Sequence, residues 1–425
     1  MKKISTLFLT RHLPYPPLGG SALRNWQNIN IMQTMGPVAV VSVVSEKLRG
    51  EGKTPPGVEI WHNYYFEELL KGRSLFRKIK DKLWLLQPAH HPWSNQLYGQ
   101  VVVKQIEEVL AEFKPSYVIL EELWFYPYLS LFKNYGCRVI YDAHNIETFL
   151  RREMHSSLPP KEMQGNLKGK LSLRQIEAIE RKLLNQVDQV WVCSHEDASL
   201  LQKLAKRKVD THVVSNGVNP EYYESVLLGQ CNLPEGLPPE PQTLIFTASY
   251  THEPNLIAMK LLVDEIYPRL RKMHPHCRLL LVGRNPTNYM KRIAQEEPGI
   301  VVTGKVEDIR PYLGAASVMV VPLFEGGGTR LKILEAFAAG LPVVSTSKGA
   351  EGIKAQDGVH LLIKDSVEDI VTEVSQLWSD LNLGKTLSQE GYKLLKAEYS
   401  WQAVARNVKL AIAKGCSKHI DNDNP

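Results

Sequence analysis

The chain has 425 residues, 44% of them hydrophobic and 23% charged, with a formal net charge of +6. That is too long for one core and matches a globular protein of two domains of roughly 200 residues each. No run of about 18 apolar residues is present to span a bilayer, and five scattered cysteines without a CxxC pair argue against a disulfide framework or a zinc site.

The modest positive charge fits an anionic small ligand or an anionic membrane surface as easily as nucleic acid; no nucleic-acid partner is expected. The first residues, MKKISTLFLTR, are interrupted by Ser5, Thr6 and Thr10 and closed by Arg11. They read as a first strand rather than a secretory signal. A cytoplasmic enzyme is expected, with a peripheral position on the inner face of a membrane left open.

Short β-branched runs follow at 3–10, 37–45, 57–62, 116–121, 137–142 and 188–193, separated by helical stretches. Their continuous apolarity predicts strands buried on both faces, as in a parallel sheet covered by helices. In such doubly wound sheets ligands bind beyond the carboxyl ends of the strands. The loop after the first run, Tyr15-Pro16-Pro17-Leu18-Gly19-Gly20, leads into a helix. It is a plain turn, or a loop whose two glycines let the backbone approach a ligand. Glu121 and Glu122 end another run and read as a solvated rim, with contact to an acceptor hydroxyl as the alternative. His144 follows CRVIYD beside Asp142, Asn145 and Glu147, at the open end of the sheet. Ser194 has the character of a helix cap.

Residues 69–88 carry six cations (Lys71, Arg73, Arg77, Lys78, Lys80, Lys82) among Leu75, Phe76, Ile79, Leu83 and Trp84. This basic amphipathic pattern fits an anionic membrane surface or an ordinary helix covering the sheet. After the Asn216-Gly217 turn comes irregular chain and the proline-rich CNLPEGLPPEPQ, read as a linker over 217–241. The expected organisation is an N-terminal Rossmann-like domain at 1–216 and a second over 242–397, facing each other across a cleft. A crossover helix over 398–414 and a polar tail over 415–425 complete it. The tail holds the only Asp-x-Asp, Asp421 and Asp423, and no metal is assigned to it.

The densest signal is VMVVPLFEGGGTRLKILEAFAAGLPVVSTSKGAEG, from Val318 to Gly352. It predicts a strand, a glycine turn, a helix capped by Thr329 and closed by Gly340, and a second strand. Gly327, Gly328 and Thr329 would offer backbone N–H groups, and Arg330 and Lys332 positive charge, to a phosphate at the helix N-terminus. Glu335 borders the packed face and needs donors, which two sugar hydroxyls would supply.

On these residues the chain resembles a family 4 glycosyltransferase of the GT-B fold. The resemblance rests on the Tyr-Pro-Pro…Gly-Gly loop, His144 in DAHNIE, Asn216-Gly217-Val218, Pro254-Asn255 and the block from Pro322 to Gly352. It implies a nucleotide-sugar donor on the C-terminal domain and a glycan or lipid-linked acceptor on the N-terminal one. Phosphate would be held near Gly19, Gly20, Gly327, Gly328, Thr329, Arg330 and Lys332, and ribose by Glu335. His144 would contact the sugar, Asn216 and Gly217 would form the hinge, and the C-terminal helix would cross back to the first domain. It also implies transfer with retention, without metal or cofactor; same-face attack needs no general base. Many relatives carry a glutamate where Gly327 stands, and an Arg and a Lys where Ser249 and Asn255 stand. Arg330 and Lys332 are therefore expected to supply the missing phosphate charge. A nucleotide-sugar epimerase, or a sugar-nucleotide-binding protein without catalysis, are the alternative readings.

Overall fold

A computed structural model describes residues 3–17, 19–71, 73, 79, 81–84, 89–156, 167–238, 240–327 and 330–420. The chain divides into two compact units, residues 1–215 with 405–425, and residues 216–404. Each has its own hydrophobic core.

The first unit is built on seven strands: β1 (Thr6–Thr10), β2 (Val38–Val44), β3 (Ile60–Tyr65), β4 (Tyr117–Glu121), β5 (Arg138–Ala143), β6 (Gln189–Val192) and β7 (Thr211–Val213). They form one parallel sheet in the order β3-β2-β1-β4-β5-β6-β7. β1, β2, β4 and β6 are buried along their whole length, as continuous apolar runs demand when helices cover both faces. The chain winds outward from β1 to β3, then returns to place β4 on the other side of β1. The crevice beyond β1 and β4 is therefore the switch point where such sheets bind ligands.

The second unit repeats the scheme with β8 (Thr243–Thr247), β9 (Arg278–Val282), β10 (Ile300–Gly304), β11 (Val318–Val321), β12 (Val343–Ser345) and β13 (Leu362–Ile363). Its parallel order is β10-β9-β8-β11-β12-β13, with the switch point beyond β8 and β11. Met319 pairs with Ile245 on one side and with Val343 on the other, which places the glycine turn after β11 beside the end of β8.

Several local expectations change. The segment after Asn216 is not irregular: Asn219 caps a 3-10 turn (Pro220–Tyr223) that runs into a helical turn (Glu224–Leu227). Val218 pairs with Ser400, and Gly217 O accepts from Trp401 Nε1 at 3.3 Å, all within the second unit. The last helix spans Trp401–Ile420, preceded by a π-helical turn at Leu395–Tyr399. Its residues from 405 onward belong to the first unit, where Arg138 Nη1 and Gln189 Nε2 donate to its carbonyls at Gly415 and Ala411.

The basic segment departs from a uniformly solvated cationic face. Arg73 is buried, with Nη1 2.5 Å from Asp81 and Nη2 on the carbonyls of Asn95 and Tyr98. It serves the fold and cannot face lipid. Trp84 packs edge-on against His91, while Ile79 and Leu83 are half exposed. Arg77, Lys78 and Lys80 lie outside the described residues, as do Asp421 and Asp423. Among the described residues no helix is long and apolar enough to cross a membrane.

Candidate functional site

The site in the second unit grows from the ends of β8 and β11. β11 delivers the chain into the glycine turn, where Gly326 has φ 95°, a conformation that favours glycine. The helix that follows runs Leu331–Ala338, with Arg330 rather than Thr329 at the capping position and no side-chain cap. Gly328 and Thr329 lie outside the described residues. Gly340, at φ 72°, closes the helix, with its N–H on Phe337 O and that of Leu341 on Ala336 O, the left-handed close expected there.

Arg330 turns back on the loop that precedes it. Its guanidinium donates to Gly327 O at 2.9 Å, Gly326 O at 2.6 Å and Glu325 O at 3.4 Å. It acts as a clasp that fixes the turn while bringing positive charge to the helix N-terminus. Lys332 reaches the other way. Its Nζ lies 3.3 Å from Asn255 Oδ1 and 4.1 Å from the centre of the Phe246 ring on β8. Asn255 Nδ2 in turn donates to Ser249 O at 3.0 Å. Lys332 thus brings its ammonium to Asn255, which in turn is bonded to Ser249.

Burial, followed by the neighbouring Arg330, pushes the Lys332 ammonium down to about 7, against the opposing pull of Glu335. Burial also pushes Glu335 up to about 7, opposed by Tyr223 and Lys332. Tyr223 OH donates to Glu335 Oε1 at 3.2 Å. One of the donors this carboxylate needs is therefore the protein's own. These are two groups of opposite charge with pKa values moved toward neutrality, so a bound anion would re-charge the lysine and hydroxyl donors would favour the ionised carboxylate.

Close backbone approach shapes the same end of the sheet. Gly283, after β9, has φ 144°, and a Cβ there would meet Ala248 O at 1.7 Å. Nothing larger fits between the ends of β8 and β9.

In the first unit, Gly19 has φ 107° at the start of the Gly20–Gln33 helix, so its backbone form requires glycine. Beyond β5, His144 is buried, with Nδ1 3.9 Å from Glu121 Oε1 and Nε2 3.8 Å from Asp142 Oδ2. Asp142 is held to about 2: burial opposes ionisation, but the paired Arg24 guanidinium and His144 outweigh it. Arg24 Nε and Asn28 Nδ2 both donate to it at 3.0 Å.

Glu121 is not a solvated rim. It is 1% exposed and accepts the backbone N–H of Arg11 at 2.5 Å and of His12 at 3.3 Å, while His12 Nδ1 lies 2.6 Å from its Oε1. Glu122 takes Arg11 Nη1 at 3.1 Å. His12 had no sequence signal beyond following the first strand. Its partner lies 109 residues away, and only the adjacency of β1 and β4 brings the two together. Tyr223 escaped notice likewise, 112 residues from Glu335, although the Asn219-Pro220 pair marks a capped turn. Asn216 and Gly217 stand where the chain passes from the first unit to the second.

The fold defined by these two switch-point sheets is GT-B. Residues 241–380 match the model of the family described as glycosyl transferases group 1. Among solved structures, sucrose-phosphate synthase from Thermosynechococcus elongatus is similar at a TM-score of 0.70 and 15% identity, covering 98% of this chain and 100% of that one. Anabaena HepE in complex with UDP and glucose is similar at 0.61 and 13%, covering 96% and 99%. A variant of S. aureus TarM in complex with Fondaparinux, alpha-GlcNAc-glycerol and UDP is similar at 0.64 and 12%, covering 96% and 99%. No curated protein matches.

Proposed function

We propose that the protein is a glycosyltransferase that moves a hexose from a nucleoside-diphosphate sugar to an acceptor hydroxyl, as a family 4 enzyme acting with retention. The observation that carries the reading is the convergence of Lys332, Asn255 and Ser249 at the end of β8, beside a glycine turn clasped by Arg330. Expulsion of a nucleoside diphosphate requires its phosphates to be stabilised as the bond to the sugar breaks. The backbone of the turn at Gly327, Gly328 and Thr329, the Lys332 ammonium and the charge of Arg330 perform that task here. Glu335, held by Tyr223, takes the ribose hydroxyls. His144 contacts the transferred sugar, and the backbone at Gly19 and Gly20 approaches the donor phosphates.

The chemistry needs no metal or cofactor, since the protein's own cations and N–H groups meet the leaving group. A glycan or lipid-linked hydroxyl is the proposed acceptor class, as in cell-surface polysaccharide, exopolysaccharide or glycolipid synthesis. The basic segment over 69–88, in which Ile79 and Leu83 are exposed, would bring the enzyme to an anionic membrane surface. HepE with UDP and glucose supports UDP as the first donor base to test. The test is product analysis after incubation with UDP-glucose, GDP-mannose and UDP-N-acetylglucosamine, with and without hydroxyl acceptors. Acceptor-dependent release of nucleoside diphosphate is expected; conversion of donor alone into an epimeric nucleotide sugar would replace this reading with an epimerase.

A further inference from the structure

A cavity lies in the second unit at the opposite end of its sheet from the glycine turn. Gln242, Ser317 and Pro342 stand directly before β8, β11 and β12, and all three line it. Its walls come from the helices Val367–Ser379 and Leu381–Leu394 and from the segment Gly340-Leu341-Pro342. The volume is about 1060 Å³, close to the upper end of the roughly 300–1,000 Å³ that small-molecule sites occupy. We infer that this cavity binds the apolar chain of a fatty-acid-like amphiphile whose anionic head rests at Lys385. The inference goes beyond the transfer reaction and does not depend on it.

The chemistry of the walls selects the class of ligand. Trp378 Nε1 donates to Ser317 Oγ at 2.9 Å, and that hydroxyl donates to Thr243 O and accepts from Thr243 N, both at 3.1 Å. Ser388 Oγ donates to Gly384 O at 2.7 Å, and Gln242 Nε2 lies 2.9 Å from His274 Nδ1. These polar groups are engaged within the protein, so Trp378, Leu341, Pro342 and Leu377 offer the cavity mainly carbon. A sugar, a nucleotide or a polar heterocycle would bury donors and acceptors against that carbon without partners, at a cost that disfavours them. A hydrocarbon chain brings none. Leu381, which also lines the cavity, is 78% exposed and adds apolar surface for the same chain.

The charge of the cavity selects the head. Lys385, Gln389 and Lys393 recur every four residues along the helix Leu381–Leu394, so they share a face. Lys393 already meets Glu390 at 2.7 Å. Lys385 is exposed and has no carboxylate partner among the described residues. No aspartate or glutamate among the described residues lines the cavity. An apolar floor beside a cation free of counter-charge complements a chain that ends in an anion.

A peptide strand is a poorer fit. Strand addition needs the free edge of a sheet, and the edges here are β10 and β13, whereas the cavity lies under the amino ends of β8, β11 and β12. The two features of an amphiphile then divide the work: burial of the chain supplies affinity without direction, and Lys385 sets which end points outward.

The test titrates decanoate, decan-1-ol and decyltrimethylammonium, which share one chain and differ in the head, into the full chain below their micelle-forming concentrations. Calorimetry should show saturable binding of decanoate, about fivefold or more tighter than decyltrimethylammonium, with decanol between them. Lys385→Glu is expected to weaken decanoate about fivefold or more while decanol binds as before. Gly384→Leu should abolish binding of all three. A Cβ at Gly384 makes only ordinary contacts, 3.8 Å to Pro342 and 3.9 Å to Leu377, so the backbone accepts it while the longer side chain takes up space in the cavity. Should that variant fail to fold, Lys385→Glu, at an exposed position, decides alone. Lys332→Met should leave decanoate affinity unchanged; loss of binding there would put the anion at the glycine turn and overturn the proposal. No saturable binding of decanoate, equal binding of all three heads, or full binding in a folded Gly384→Leu overturns it as well. A dimer in sedimentation that Gly384→Leu dissociates would make a second copy of this chain the occupant, and likewise refute the amphiphile.

Discussion

Lys332→Met is the most informative single change, because it should move stability and ligand affinity in opposite directions. The ammonium falls from an ordinary 10.5 to about 7 on folding. Below about 7 it is charged in both folded and unfolded chains, and the full cost of holding that charge is present. As pH rises from 7 to 10.5 only the unfolded chain still binds the proton, so the cost is progressively relieved. The full shift would correspond to about 5 kcal/mol; access to water at this half-buried position reduces that to about 1–3 kcal/mol. The methionine variant should therefore be more stable at pH 7, by about 2–4 °C in melting temperature per kcal/mol, with the gain shrinking toward pH 10. The same change removes a charge-assisted contact to the diphosphate worth about 1.5–3 kcal/mol, a loss of roughly 10- to 150-fold in affinity for UDP. A bound diphosphate pulls the lysine's pKa back up. Binding to the unaltered protein should then take up a proton above pH 7 and weaken as pH rises, by at most about tenfold per unit. Glu335 titrates in the same range, so the lysine's share is the difference between unaltered protein and variant. Calorimetry in buffers of different ionisation enthalpy measures it. Equal proton uptake and equal UDP affinity in both proteins would refute the phosphate role of Lys332.

Three further outcomes are expected. Tyr223→Phe leaves Glu335 Oε1 without its 3.2 Å donor, so thermal denaturation should show a loss of about 1 kcal/mol and the carboxyl, followed by NMR, should titrate above about 7; an unmoved titration would mean the bond is incidental. Gly283→Ala drives a Cβ to 1.7 Å from Ala248 O at φ 144°, and urea denaturation should register a loss of about 3 kcal/mol or more; a stability change under 0.5 kcal/mol would contradict the close approach. Changing Arg77, Lys78, Lys80 and Lys82 to Glu should reduce co-sedimentation with phosphatidylserine vesicles while the fold stays intact, whereas Arg73→Ala should cost stability by removing its ion pair with Asp81 and its bonds to the carbonyls of Asn95 and Tyr98; vesicle binding that survives the fourfold change removes the membrane from the account.

The strands were readable because parallel sheets bury both faces, so PVAVVSVVS and SVMVVPL announce themselves without alternation. The glycine turn and its helix were readable because backbone geometry writes itself into Gly326 and Gly340. Pairings across the sheet were not. His12 finds Glu121, and Lys332 finds Asn255, only through strand order, and local periodicity carries no record of that order. Arg73 illustrates the opposite error. Its spacing suits a basic face, yet tertiary contacts with Asp81, Asn95 and Tyr98 turn it inward. Thr329 was a reasonable cap by residue type, but the helix starts after Arg330, whose guanidinium closes the turn instead.

The central claim is that the end of β8 and the Leu331–Ala338 helix hold a nucleoside diphosphate. Calorimetric titration of UDP, GDP, ADP and dTDP into the unaltered protein, Lys332→Met and Glu335→Ala tests it directly. The account predicts saturable binding of at least one nucleotide to the unaltered protein, weakened at least tenfold in both variants. Absence of binding by all four, or binding that both variants retain in full, would contradict it.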